Sequence, residues 1–200
     1  MPRAGLDRAT VIAAAAEVAD ERGLGQLTMS LVAERLGVRT PSLYKHVDSL
    51  AELHQGLAVL AMTEFGDALR DATQGYAGRD ALAAAARAMR SYLTGHPGRY
   101  AATVGTVANP ELDAAGARVV ESLAAVLRGY RIDPAEQTHA LRTLRSTLHG
   151  FATLQTAHGF QWGADTDQSF EWLIDFLDRG LRSSSRHLSP ARPAPPVEID

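Results

Sequence analysis

Apolar residues recur along this chain at intervals of three and four, the period of a helix buried on one side, and no stretch alternates as a half-buried strand would. The pattern predicts an all-α chain. A first helix follows Asp7, a good N-cap, places Ile12, Ala16 and Ala19 on one face and stops at Gly23. A second, short helix begins at Thr28, whose hydroxyl caps it without the glutamate of a capping box. It turns Leu31, Val32 and Leu36 inward and ends at Gly37. Pro41 suits the first turn of a third helix, where its missing N–H costs nothing. Asp48 or Ser49 caps a longer one over residues 50 to about 72, followed by a break at 74–78.

An alanine-rich helix is expected over 80–93, closed by Gly95-His96-Pro97-Gly98. A short one is expected over 99–107, and Asn109-Pro110 starts another that runs to Gly129. Asp133-Pro134 has the cap-plus-proline signature of a long helix reaching about residue 158. The last helix is expected over about 167–181. The residues divide into an N-terminal unit over 1–50, a helical bundle over 51–183 and a tail over 184–200. Pro190, Pro193, Pro195 and Pro196 leave that tail too little apolar surface to order itself.

Composition narrows the function classes. Two hundred residues, 46% hydrophobic and 22% charged, are ordinary for a globular chain with a real core. Without cysteine there are no disulfides, thiolate metal sites or thiol nucleophiles. No histidine pair has the spacing of a helical zinc site, and neither a nucleophile elbow nor a phosphate-cradling glycine loop is present. The reading is therefore not an enzyme, with no metal and no cofactor. A small all-α enzyme using His149, His158 and Asp165 is the remote alternative. No apolar run is long enough to span a bilayer, and Glu17, Asp20 and Glu21 interrupt the alanine-rich N-terminal stretch before any secretory cleavage site. A cytoplasmic protein is expected.

A net charge of −3 argues by itself against nucleic acid, but distribution matters more than the sum. Residues 28–46, TMSLVAERLGVRTPSLYKH, form a helix, a turn containing Gly37 and a second short helix. That is the helix-turn-helix layout, in which the second helix enters the DNA major groove. Ala33 is small where the helices must cross, and Leu31, Leu36, Val38 and Leu43 fill the wedge between them. Arg39, Thr40, Ser42, Tyr44, Lys45 and His46 remain outside: hydroxyls and cations, as base edges and phosphates require. Lys45 is the only lysine in the chain. A plain solvated surface between two core helices is the alternative.

Leu27-Thr28, Val32-Ala33, Leu36-Gly37-Val38 and the run from Pro41 to Val47 resemble, without a gap, the TetR family of bacterial transcriptional regulators. The resemblance implies an all-α homodimer with an N-terminal DNA-binding domain and a C-terminal domain for ligand binding and dimerisation. It implies a repressor released from an approximately palindromic double-stranded operator by a small-molecule effector. A helix-turn-helix protein without any effector remains the alternative. Carried over by position, Thr28 would hold a phosphate, Arg39, Thr40 and Ser42 would face bases, Tyr44 and His46 would grip the backbone, and Lys45 would lie at the same surface. Two positions depart from the family's habit: Leu50 stands where a lysine is common, and Ser30 where a basic residue is.

Beyond residue 50 the resemblance is architectural, although Leu148-His149-Gly150-Phe151 looks like a C-terminal subtype named for a Trp-His-Gly motif. Among the aromatic and histidine residues, Tyr92, Tyr100, His149, Phe151 and Trp162 are the pocket candidates. Aromatic walls with a few hydroxyl and imidazole groups would suit a neutral or weakly polar molecule. The last helix is apolar on two sides. Phe170, Leu173 and Leu177 share a stripe, while Trp172 and Phe176 lie off it. With Leu144 and Leu148 of the preceding helix, these residues predict a two-fold helix-pair interface; a fully buried central helix is the alternative.

Overall fold

The computed structural model describes residues 6–185, and these contain helices and no strand. An N-terminal unit holds α1 (Arg8–Arg22), α2 (Met29–Leu36) and α3 (Thr40–Leu43). The rest is α4 (Leu50–Thr73), α5 (Gly78–Gly95), α6 (Pro97–Ala101), α7 (Pro110–Arg128), α8 (Gln137–Thr156) and α9 (Thr166–Ser185). No helix among the described residues is long and apolar enough to cross a membrane.

The helix starts follow local chemistry. The side chains of Asp7, Thr28, Ser49 and Asn109 accept the backbone N–H of Thr10, Leu31, Glu52 and Leu112 at 2.7, 3.3, 3.1 and 2.8 Å. Gly37 ends α2 at φ 65°, the left-handed conformation that glycine adopts at no steric cost. Two boundaries differ from expectation. Asp133 closes its own turn, its carboxylate taking the N–H of Ala135 and its carbonyl that of Glu136, both at 2.8 Å, so α8 starts only at Gln137. Helix α6 stops at Ala101 and the chain turns through Gly105 at φ 79°, so the helix expected to reach 107 is much shorter.

Two apolar cores share α4. The first joins Val11, Ile12, Val32 and Leu43 to Leu53 and Leu57, so the N-terminal unit is completed by the first turns of α4, beyond residue 50. The second gathers Phe65 and Leu69 of α4 with Leu82, Met89, Leu123, Leu144, Leu148 and Phe170. Helix α9 lies antiparallel to α5 along a ladder of ion pairs: Arg79–Asp175 at 2.6 Å, Arg87–Glu171 at 2.7 Å and Arg90–Asp167 at 2.6 Å. Each exposed pair contributes little to stability, but together they fix which face of α9 turns inward. Of the tail expected over 184–200, Ser184 and Ser185 close α9, and the remainder lies outside the described residues.

Candidate functional site

Helix α3 is held by its buried Leu43 and by Pro41 in its first turn. Arg39 occupies its N-cap with extended backbone, and its side chain is exposed. Thr40 and Ser42 are half-buried, Tyr44 and Lys45 exposed, and His46 half-buried in the turn that follows. Thr28 is exposed at the start of α2, where its hydroxyl caps the helix. Among the described residues neither Arg39 nor Lys45 forms an ion pair, whereas Arg35 of α2 is bound by Glu17 and Glu21 of α1. The pairing engages Arg35 and leaves Arg39 and Lys45 as the cations of α3 and the turn after it. All seven residues expected to meet DNA thus lie at the start of α2 or on α3 and its following turn.

The bundle contains a cavity of about 570 Å³ between α4, α7, α8 and the segment after α6. Met62, Phe65, Val119 and Leu123 form its apolar wall, and Tyr100, Arg142 and Arg145 are polar members of its lining. A second hollow of about 320 Å³ lies on the other side of Tyr100, bordered by His149 and Thr153. The Tyr100 hydroxyl is 3.1 Å from His149 Nδ1 and separates the two spaces. Burial pushes the Tyr100 phenol up, against the pull of Arg145.

Of the five pocket candidates, only Tyr100 and His149 line these spaces. Tyr92 is a core residue: it stacks on Phe65, and its hydroxyl donates to Ala61 O at 2.9 Å and Glu64 Oε2 at 3.0 Å. Phe151 packs against Phe160 and Phe170, under the Arg90 guanidinium. Trp162 is 88% exposed in the loop before α9. An aromatic residue has one face to bury, and spacing alone does not say against which neighbour. Arg142 and Arg145 were not anticipated; their signal is two arginines three apart on one helix face.

The interface candidates divide in the same way. Leu144, Leu148, Phe170 and Leu177 are buried in the protomer's own core, which corrects their assignment to a partner. Leu173 is half-buried, whereas Trp172 and Phe176 stack on each other in the open, ring centroids 5.4 Å apart. They follow Glu171 and Asp175 by one residue, about 100° around the helix from the ladder to α5.

The two parts of the chain are joined at α6. Gly98 sits so close to α1 that a Cβ there would run into the Ala19 carbonyl. Beside it, Arg99 binds Asp20 of α1 and reaches Glu64 of α4, its Nη1 lying 2.9 Å from Glu64 Oε2.

Residues 11–54 match the family model for bacterial regulatory proteins of the tetR family, and residues 82–177 that for a tetracyclin repressor-like C-terminal domain. The chain is 30% identical to the uncharacterized HTH-type transcriptional regulator YobS of Bacillus subtilis, over 94% of this chain and 98% of that one. It is 33% identical to the uncharacterized HTH-type transcriptional regulator Rv0681 of Mycobacterium tuberculosis, over 92% of this chain and 85% of that one. A TetR variant from Acinetobacter baumannii, solved in complex with minocycline, superimposes with a TM-score of 0.68 at 27% identity, covering 90% of this chain and 98% of that one. By the two family models and the two relatives that span nearly its whole length, this chain belongs to the TetR family of helix-turn-helix transcriptional regulators.

Proposed function

We propose that this DNA-binding regulator is a cytoplasmic homodimeric repressor that leaves an approximately palindromic operator when a small-molecule effector fills the bundle. One observation carries the reading: Tyr100 borders both hollows, and its neighbour Arg99 on the same short helix grips Asp20 in the DNA-binding unit. A ligand that displaces Tyr100 must disturb α6, and α6 is bonded to α1. The two sites would then couple by typically 1–3 kcal/mol, a 5–150-fold change in operator affinity.

In this reading Arg39, Thr40 and Ser42 face base edges, and Thr28, Tyr44, Lys45 and His46 hold phosphates. The dimer forms through the outward faces of α8 and α9, where Leu154, Trp172 and Phe176 are exposed and the space beside Gly150 and Gly180 is open. Selection from a random duplex pool tests it. The protein should enrich one inverted repeat whose half-site centres lie about 34–36 Å apart, or a further whole turn apart. A pool that stays random contradicts the proposal.

A further inference from the structure

We infer that the larger cavity takes an organic anion, an apolar body carrying a carboxylate, with Arg142 and Arg145 as its receptor. The inference rests on the reading of this cavity as the effector site and names the ligand class. Its volume of about 570 Å³ falls within the range of about 300–1,000 Å³ typical of small-molecule sites. The wall from Met62, Phe65, Val119 and Leu123 offers no hydrogen bond, so it selects an apolar body.

The polar part of the lining decides the head group. The hydroxyls of Thr103 and Thr106 already donate to the backbone carbonyls of Tyr100 and Ala102. The Tyr100 hydroxyl is held at His149. Arg142 and Arg145 stand three apart on one face of α8 and form no ion pair among the described residues, although Arg145 shares the Tyr100 hydroxyl. Both arginines are exposed, and Arg145 lies close enough to the buried Tyr100 phenol to oppose its rise, so the charge sits beside that ring where the lining meets solvent. Asp113 of α7 is the one carboxylate on the same lining, so two cations face one anion and the balance favours a negative ligand. A planar guanidinium meets a carboxylate through two parallel hydrogen bonds, which a neutral head group cannot match. The neutral ligand suggested by the aromatic residues alone is replaced by this class, because the aromatic residues are mostly core and the arginines are not.

Calorimetric titration of the full-length protein with decanoate and 4-phenylbutyrate, each beside its primary amide, tests the inference. At least one acid should bind about tenfold or more tightly than its amide. Arg142→Gln with Arg145→Gln should abolish that preference, and Arg142→Lys with Arg145→Lys should keep only part of it, since the charge remains without the planar fork. Acids that bind no better than their amides, no binding by any of the four, or a preference surviving in the glutamine variant would overturn the assignment. Repeating the titrations with the selected operator bound separates the two claims. An acid that binds at the arginines without loosening DNA refutes effector release and leaves the anion site standing. An amide that binds better than its acid and releases DNA refutes the anion class and leaves effector release standing.

Discussion

Arg99 holds Asp20 twice: its Nε donates to Oδ2 at 2.7 Å and its backbone N–H to Oδ1 at 2.8 Å. Both side chains are only 14% exposed, and the pair spans the junction between the DNA-binding unit and the bundle. The other side of the guanidinium binds Glu64, which in turn accepts the Tyr92 hydroxyl. One arginine on a five-residue helix therefore ties α1, α4 and α5 together.

Replacing that arginine should loosen the junction. Arg99→Ala leaves Asp20 and Glu64 without their cation and should cost about 2–3 kcal/mol. That is less than for a fully buried pair, because the Glu64 side chain keeps 36% of its exposure. Urea denaturation checks the loss of stability. Limited proteolysis should show cleavage between α6 and α7 before any within α4, and an unchanged pattern would deny α6 its role at the junction.

Three buried phenols give a pH dependence. Burial, with Glu64 beside Tyr92 and Asp178 beside Tyr130, pushes Tyr92, Tyr100 and Tyr130 above the ordinary tyrosine value. In the unfolded chain these groups ionise near pH 10, so the unfolded state releases protons that the folded state keeps. Their contribution is fully present below about pH 10 and declines above it, by at most about 1.4 kcal/mol per pH unit for each phenol. Urea midpoints at pH 9 and pH 11 should show the fall, and Tyr130→Phe should make it shallower. A midpoint flat across that window would contradict the burial of these rings.

The exposed ring pair on α9 predicts the assembly. Trp172→Glu with Phe176→Glu should give a folded monomer by sedimentation, with operator affinity about 100-fold or more below wild type once each half-site binds alone. Leu144→Ala should do the opposite: lose about 2–5 kcal/mol of stability, as core truncations do, and stay dimeric. A dimer untouched by the first pair would place the interface elsewhere.

How much of this was legible in the sequence follows from the range of each interaction. Caps act within three residues, so the helix starts at Asp7, Thr28 and Asn109 could be read directly and that of α4 narrowed to Asp48 or Ser49, of which Ser49 is the cap. The helix-turn-helix is also local: of its expected outward residues Arg39, Tyr44 and Lys45 are exposed, whereas Thr40, Ser42 and His46 are half-buried. Periodicity told that Leu144 and Phe170 are buried but not whether by their own chain or by a partner. The bond from Arg99 to Asp20 crosses 79 positions, and nothing near either residue announces it. Separation in sequence also hid Arg142 and Arg145, since they gain meaning only opposite α4 and α7.

The central claim is that α2, α3 and the turn after α3 read DNA, and Arg39 and Lys45 test it most directly because they should fail in different ways. A salt titration by fluorescence anisotropy compares wild type, Lys45→Ala and Arg39→Ala on the selected operator and on a random duplex. Lys45→Ala should weaken binding to both duplexes alike and lower the log–log salt slope by about one. Arg39→Ala should cost about 1–3 kcal/mol mainly on the operator, relaxing discrimination at one base position. If both variants bind both duplexes as the wild type does, residues 28–46 are not the DNA-binding surface.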